Sequence, residues 1–282
     1  MRLCSFIVNG KASYGLVVAD GIVDAGKRLS AASLKQALAD MPALAALSAE
    51  KPDHALADVQ WLPPIPGTGT DAGKVFSVLL NYEALRLESG RPKLQYPHLL
   101  TRFADTQVGH EAALIKPKIS NEFDFEGELA VVIGKPGRNI ARADAMAHVA
   151  GYACYNDATP RDWMRHSRHF TLAKSFPGTG AFGPWLTTRD EIPDLAQCTL
   201  TTKLNGETMQ QAQLGNFTYP VDELIAYISQ ATPLAAGDVI CTGTPGGCGY
   251  KRSPPRFLKA GDTISVHIDG IGMLSNIVAE EA

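Results

Sequence analysis

Apolar and polar positions alternate over short distances at the start of the chain. Cys4 to Val8, Tyr14 to Ala19 and Ile22-Val23, separated by Asn9-Gly10 and Asp20-Gly21, predict a small antiparallel unit of short strands. From Ser30 the spacing becomes helical, through Leu34, Leu38, Leu44 and Leu47, and Pro42 is expected to divide that stretch in two. The breaker-rich segment from Pro63 to Gly73 reads as a linker. Beyond it, Val75 to Leu80 has strand length and leads into a polar segment, Asn81 to Gly90. Strand-like runs recur at Leu129 to Ile133, Gly151 to Tyr155, Thr199 to Leu204, Val239 to Thr242 and Thr263 to Ile268. Helical signals are fewer: Ala141 to Val149, Arg161 to Arg168, and Val221 to Gln230, where Leu224, Ile225 and Ile228 share a face. Without regular strand–helix alternation, the pattern predicts a β-rich α+β fold, with a small N-terminal α/β module and linker over residues 1–70 and a main domain over 71–282.

Composition narrows the functional classes. With 45% hydrophobic residues among 282, the chain can bury a large core. A net charge of −3, from 26 basic and 29 acidic residues, leaves no basic field for nucleic acid. The N-terminus lacks a signal-like apolar stretch and no run approaches membrane-span length, so no membrane partner and a cytoplasmic location are expected. Cys4, Cys154, Cys198, Cys241 and Cys248 have no C-x-x-C spacing, which suits reduced thiols.

The strongest chemical signal is Phe123-Asp124-Phe125-Glu126-Gly127-Glu128, at the mouth of the apolar run that follows. Side chains alternate along a strand, so Glu126 and Glu128 point the same way, and two like charges so placed call for a metal ion or a Lys/Arg partner. A solvated strand end is the bland alternative. Asp157 closes a second apolar run and could complete a three-carboxylate oxygen site, a donor set that suits Mg²⁺ or Mn²⁺.

Taken in order, several motifs resemble the fumarylacetoacetate hydrolase superfamily, from about Lys74 to the C-terminus: Leu80-Asn81-Tyr82 with Glu88-Ser89-Gly90; the E-x-E stretch; Asn156-Asp157-Ala158-Thr159 with Arg161-Asp162; Lys174-Ser175-Phe176; Gly183-Pro184-Trp185; Leu204-Asn205-Gly206; and Thr242-Gly243-Thr244-Pro245-Gly246-Gly247. The resemblance implies a mixed β-roll catalytic domain, a homodimer, and chemistry on 2-oxo acids with Mg²⁺ or Mn²⁺. It implies metal ligands at Glu126, Glu128 and Asp157, catalytic roles for Lys174 and Glu88, and substrate contacts from Arg161, Thr244, Tyr82 and Gly243. The Gly-rich loop also reads simply as a tight turn.

Two positions depart from that family's pattern. Leu85 stands where hydrolases of the family carry the histidine that works with a following glutamate, here Glu88, and leucine accepts no proton. Met164 stands where many relatives have glutamine. Either His98 or His110 could supply a base from a neighbouring loop. The leading expectation is hydrolysis of a C–C bond in an acylpyruvate or related 2-oxo acid, in which the metal acts as Lewis acid. The alternatives are a decarboxylase or enol–keto isomerase acting on an unsaturated 2-oxo diacid, and a family member that only binds.

Overall fold

The computed structural model describes residues 1–67 and 72–282. The expected boundary at residues 70 and 71, with the adjoining part of the linker, lies outside the described residues. The two central strands, Gly127–Ile133 and Val149–Asp157, are buried along their whole length. Runs this apolar can be stable only when both sheet faces are covered. They pair antiparallel, with Gly127 opposite Asn156 and Glu128 opposite Tyr155. The sheet continues on one side through Gly180–Thr188, Arg2–Val8, Lys11–Val18 and Gly21–Asp24, and on the other through Val239–Cys241, Val75–Leu79 and His98–Arg102. Thus the N-terminal antiparallel strands extend the main sheet, with Arg2 opposite Thr187. The Val239–Cys241 and Val75–Leu79 pair is parallel, so the sheet is mixed and the molecule is a β-rich α+β protein.

Alternation along Gly127–Ile133 divides the interior in two. Leu129, Val131 and Ile133 face a core shared with the helix Val221–Ala231 and a second sheet that includes Thr199–Leu204, Thr263–Ile268 and Gly272–Glu280. Ala130 and Val132 face the other core, with Leu3, Leu16, Leu34, Leu38, Ala153 and Tyr155. Glu128 shares the face of Ala130, and Asp157 shares the face of Ala153 and Tyr155. At this end of the sheet, therefore, an apolar core gives way to a buried ionic layer.

Several sequence expectations need correction. Ala141 to Val149 is not an α-helix: Arg142–His148 is a 3₁₀ segment, in which the Asp144 N–H bonds the Ala141 carbonyl at 2.9 Å. The His148 carbonyl accepts from Gly134 at 2.8 Å, which fastens the segment to a strand end and stops helical propagation. The expected helix Arg161 to Arg168 closes after Met164, because Arg165 to His169 are exposed and offer no face to bury. Conversely, the polar segment after Asn81 contains a helix, Glu83–Glu88, with Leu85 as its buried residue. Pro42 does mark a division, sitting in the first turn of the helix Met41–Ala46 after the short helix Leu34–Ala37.

Among the described residues, no helix is long and apolar enough to cross a membrane. All five cysteines are free.

Candidate active site

Glu126, Glu128 and Asp157 converge so that one carboxylate oxygen from each lies within 4.8 Å of the others. Pairing of their two strands produces this, by setting Gly127 against Asn156 and bringing the flanking acids together. They are not a solvated strand end: Glu126 is 4% exposed and Glu128 2%.

Three buried cations surround them. Lys174 Nζ contacts Glu126 Oε2 and lies 2.6 Å from Asp157 Oδ2. Arg161 spans Glu126 Oε1 at 2.7 Å and Asp124 Oδ2 at 2.8 Å. Arg102 reaches Asp157 Oδ1 through Nε and Nη2, both at 2.8 Å. Burial pushes the Asp157 carboxyl up, but the charges of Lys174 and Arg102 outweigh it and hold the group well below the ordinary range. Burial likewise disfavours a charged Lys174, and the Asp157 and Glu126 charges reverse that, raising its pKa.

Glu128 differs. Among the described residues it forms no ion pair; it accepts the Gly243 N–H at 2.9 Å. Burial, then the Asp157 and Glu126 charges, push its carboxyl well up. Four acids, counting Asp124, thus face three cations, and the excess charge falls on Glu128. A divalent cation between Glu126, Glu128 and Asp157 would give Glu128 the positive partner it lacks, and an all-carboxylate donor set fits a hard ion such as Mg²⁺ or Mn²⁺.

The Gly-rich loop braces this layer. Gly243 has φ +95°, and a Cβ there would lie 2.7 Å from the Val78 carbonyl, so glycine is required for the turn that aims its N–H at Glu128. Thr244 Oγ1 donates to the Gly127 carbonyl at 2.9 Å and accepts from Gln210 Nε2 at 2.8 Å. Gln210 Oε1 accepts the Gly127 N–H at 3.0 Å, so loop and strand clamp Gly127 from both sides. A Cβ on Gly127 would lie 2.0 Å from Thr202 Oγ1. Gly127→Ala is therefore expected to lower stability by about 1–3 kcal/mol in chemical denaturation, as overpacked cores do.

The remaining sequence candidates sit around this layer. Arg161 keeps Nη2 buried without a partner among the described residues, and its guanidinium lies 4.2 Å from the Tyr250 ring centre. Its Nη1 also meets Met164 Sδ at 3.5 Å, so the methionine occupies a position beside the arginine. Tyr82 is buried, its hydroxyl without a partner among the described residues and its ring packed edge-on against Phe217. Glu88 stands apart from the ionic layer, exposed on the helix Glu83–Glu88, where Oε2 accepts the Gly247 N–H at 3.1 Å. Leu85, one turn earlier, is 5% exposed. Of the two alternative histidines, His110 packs on Trp61 and accepts the Ser275 N–H, while His98 is exposed.

Arg102, Asp124, Gln210 and Ser77 were not anticipated from sequence. Ser77 Oγ donates to Asp157 Oδ2, and Asp124 accepts from the Gly249 and Tyr250 N–H groups while pairing with Arg161. Arg102 carried a legible signal: on the strand His98–Arg102 it is in phase with buried Leu100. A charge in phase with core residues points inward and needs an acid there.

Residues 74–279 match the family described as fumarylacetoacetate (FAA) hydrolase, C-terminal. The human protein named oxaloacetate tautomerase FAHD2A, mitochondrial, is 37% identical over 235 residues, covering 83% of this chain and 74% of that protein. Oxaloacetate tautomerase YisK of Bacillus subtilis is 35% identical over 226 residues, covering 79% of this chain and 74% of that protein. Among solved structures, fumarylacetoacetate hydrolase from Exiguobacterium antarcticum superposes with TM-score 0.83 at 30% identity, over the whole of both chains. Maleylpyruvate hydrolase from Sphingobium sp. SYK-6, in complex with manganese(II) and pyruvate, gives TM-score 0.83 at 27% identity, again over both whole chains.

Proposed function

This chain belongs to the fumarylacetoacetate hydrolase family of enzymes, and from that premise we propose that it is a divalent-metal-dependent enol–keto tautomerase of a 2-oxo dicarboxylic acid of the oxaloacetate type. The observation that carries this reading is Leu85. It is buried one turn before Glu88, where a histidine would pair with that glutamate, so the base that hydrolysis demands is missing at these positions. Moving a proton between an enol oxygen and the adjacent carbon requires no attacking water. The names of the relatives, oxaloacetate tautomerases, support the same choice.

Glu126, Glu128 and Asp157 would hold the metal, whose contribution when bound is Lewis-acid polarisation of the 2-oxo group. The substrate carboxylate takes Nη2 of Arg161, the one nitrogen of that guanidinium without a partner among the described residues. Lys174 offsets the negative charge that develops on the 2-oxo oxygen, within a site where burial strengthens such contacts. Glu88, exposed beside the buried layer and held by the Gly247 N–H, would take the enol O–H proton and deliver a proton to the neighbouring carbon, the reverse holding for enolisation. Hydrolysis of an acylpyruvate is the second reading, favoured by the retention of Glu88 and by the likeness to maleylpyruvate hydrolase.

The test is to follow decay of the ultraviolet absorbance of enol-oxaloacetate with Mn²⁺ present, while mass spectrometry monitors products. Accelerated decay with conserved mass is expected. Cleavage of an acylpyruvate into two acids, with no effect on the enol, would overturn the reading in favour of hydrolysis. Leu85→His is expected to introduce measurable acylpyruvate cleavage, because it rebuilds a histidine one turn before Glu88, and product analysis of that variant checks it.

A further inference from the structure

The carboxylate oxygens around the metal position are already divided among cations. Arg161 holds Glu126 Oε1 and Arg102 holds Asp157 Oδ1, while Lys174 is the cation on Glu126 Oε2 and on Asp157 Oδ2, which also accepts from Ser77 Oγ. The arginines are anchored elsewhere as well. Arg161 is fixed by Asp124 and by the ring of Tyr250, and Arg102 by Thr179 Oγ1 and the Ala158 carbonyl, each at 2.9 Å. Lys174 is held more loosely: among the described residues its ammonium touches only the carboxylates of Glu126 and Asp157 and, at 3.3 Å, the Asp157 carbonyl.

We propose that Lys174 is an internal competitor of the metal, filling the inner oxygens of Glu126 and Asp157 in the metal-free protein and released from at least one of them when a divalent ion enters. This rests on the metal-dependent reading above and deepens it in two respects. Metal affinity is held down by a built-in counter-charge, so the ion exchanges with the medium. Occupancy also frees the ammonium to turn toward the substrate, so the residue that offsets charge on the 2-oxo oxygen becomes available only once the metal is in place. The arginines cannot play this part, because their other partners keep them where they are.

The probe is Mn²⁺ alone, with no substrate, titrated into the full chain at fixed pH and ionic strength and read by the electron paramagnetic resonance of the free ion. Removing a full charge a few ångströms from the site is expected to tighten binding by about tenfold or more. Lys174→Met should show this gain, whereas Lys174→Arg, which keeps the charge, should bind within about threefold of wild type or more weakly. If Lys174→Met does not fold, Lys174→Gln, which retains hydrogen bonding without the charge, decides the matter by the same titration. Affinity unchanged or weakened in the folded neutral variant overturns the competition. Absence of Mn²⁺ binding by wild type overturns the metal reading beneath it, which the wild-type titration shows separately.

Discussion

Glu128→Gln is expected to lose metal-dependent turnover by about three orders of magnitude or more, the scale on which a Lewis acid worth several kcal/mol acts. The same variant is expected to be more stable than wild type when both are metal-free at neutral pH. Glu128 is buried beside Glu126 and Asp157 without an ion pair among the described residues, and its carboxyl is pushed up by burial first and by those charges second. An acid whose pKa is higher folded than unfolded binds more protons in the folded state, so its contribution to stability falls as pH rises above the ordinary glutamate range. The uncharged amide removes that cost. Added Mn²⁺ should reverse the order, stabilising wild type by mass action and the variant far less. Thermal melting of both proteins with and without Mn²⁺ checks the crossing, and a Glu128→Gln variant that Mn²⁺ stabilises as much as wild type would remove Glu128 from the ligand set.

Arg102→Met is expected to be the most damaging single change to the fold, costing about 3–5 kcal/mol, because it strands Asp157 without one of its two cations. Arg102 is almost wholly inaccessible and satisfies Asp157, Thr179 and the Ala158 carbonyl at once, tying the strand His98–Arg102 to the last residue of Val149–Asp157. Urea denaturation measures the loss. Arg102→Lys should recover only part of it, since one ammonium cannot reproduce the fork of contacts. A loss below about 1 kcal/mol would mean that Lys174 and Ser77 alone suffice to hold Asp157.

The three clustered acids and Lys174 could be picked out of the chain because each carries a strong local mark. Acids end apolar runs at Glu126, Glu128 and Asp157, and the motif order supplies Lys174. The strands Thr199–Leu204 and Thr263–Ile268 were legible to the residue, for burial of one face leaves a period of two in the sequence. The helix Glu83–Glu88 was not, because only Leu85 in it is buried and its apolar periodicity is too short to read. The run Ala141 to Val149 misled for the opposite reason: its composition favours a helix, while hydrogen bonds from a distant strand end tighten it into 3₁₀ turns.

By itself the sequence determined which residue types lie at strand ends, that the fold is rich in β-structure, and that leucine stands at position 85 ahead of Glu88. Tertiary structure alone decided how the charges are apportioned. Arg102 lies 55 residues from Asp157 and Lys174 lies 48 from Glu126, and only the pairing of strands brings them within contact. Whether a buried acid is compensated depends on distance in space, which local periodicity does not encode, and so Glu128 emerges as the one acid of this layer without an ion pair among the described residues only once the chain is folded.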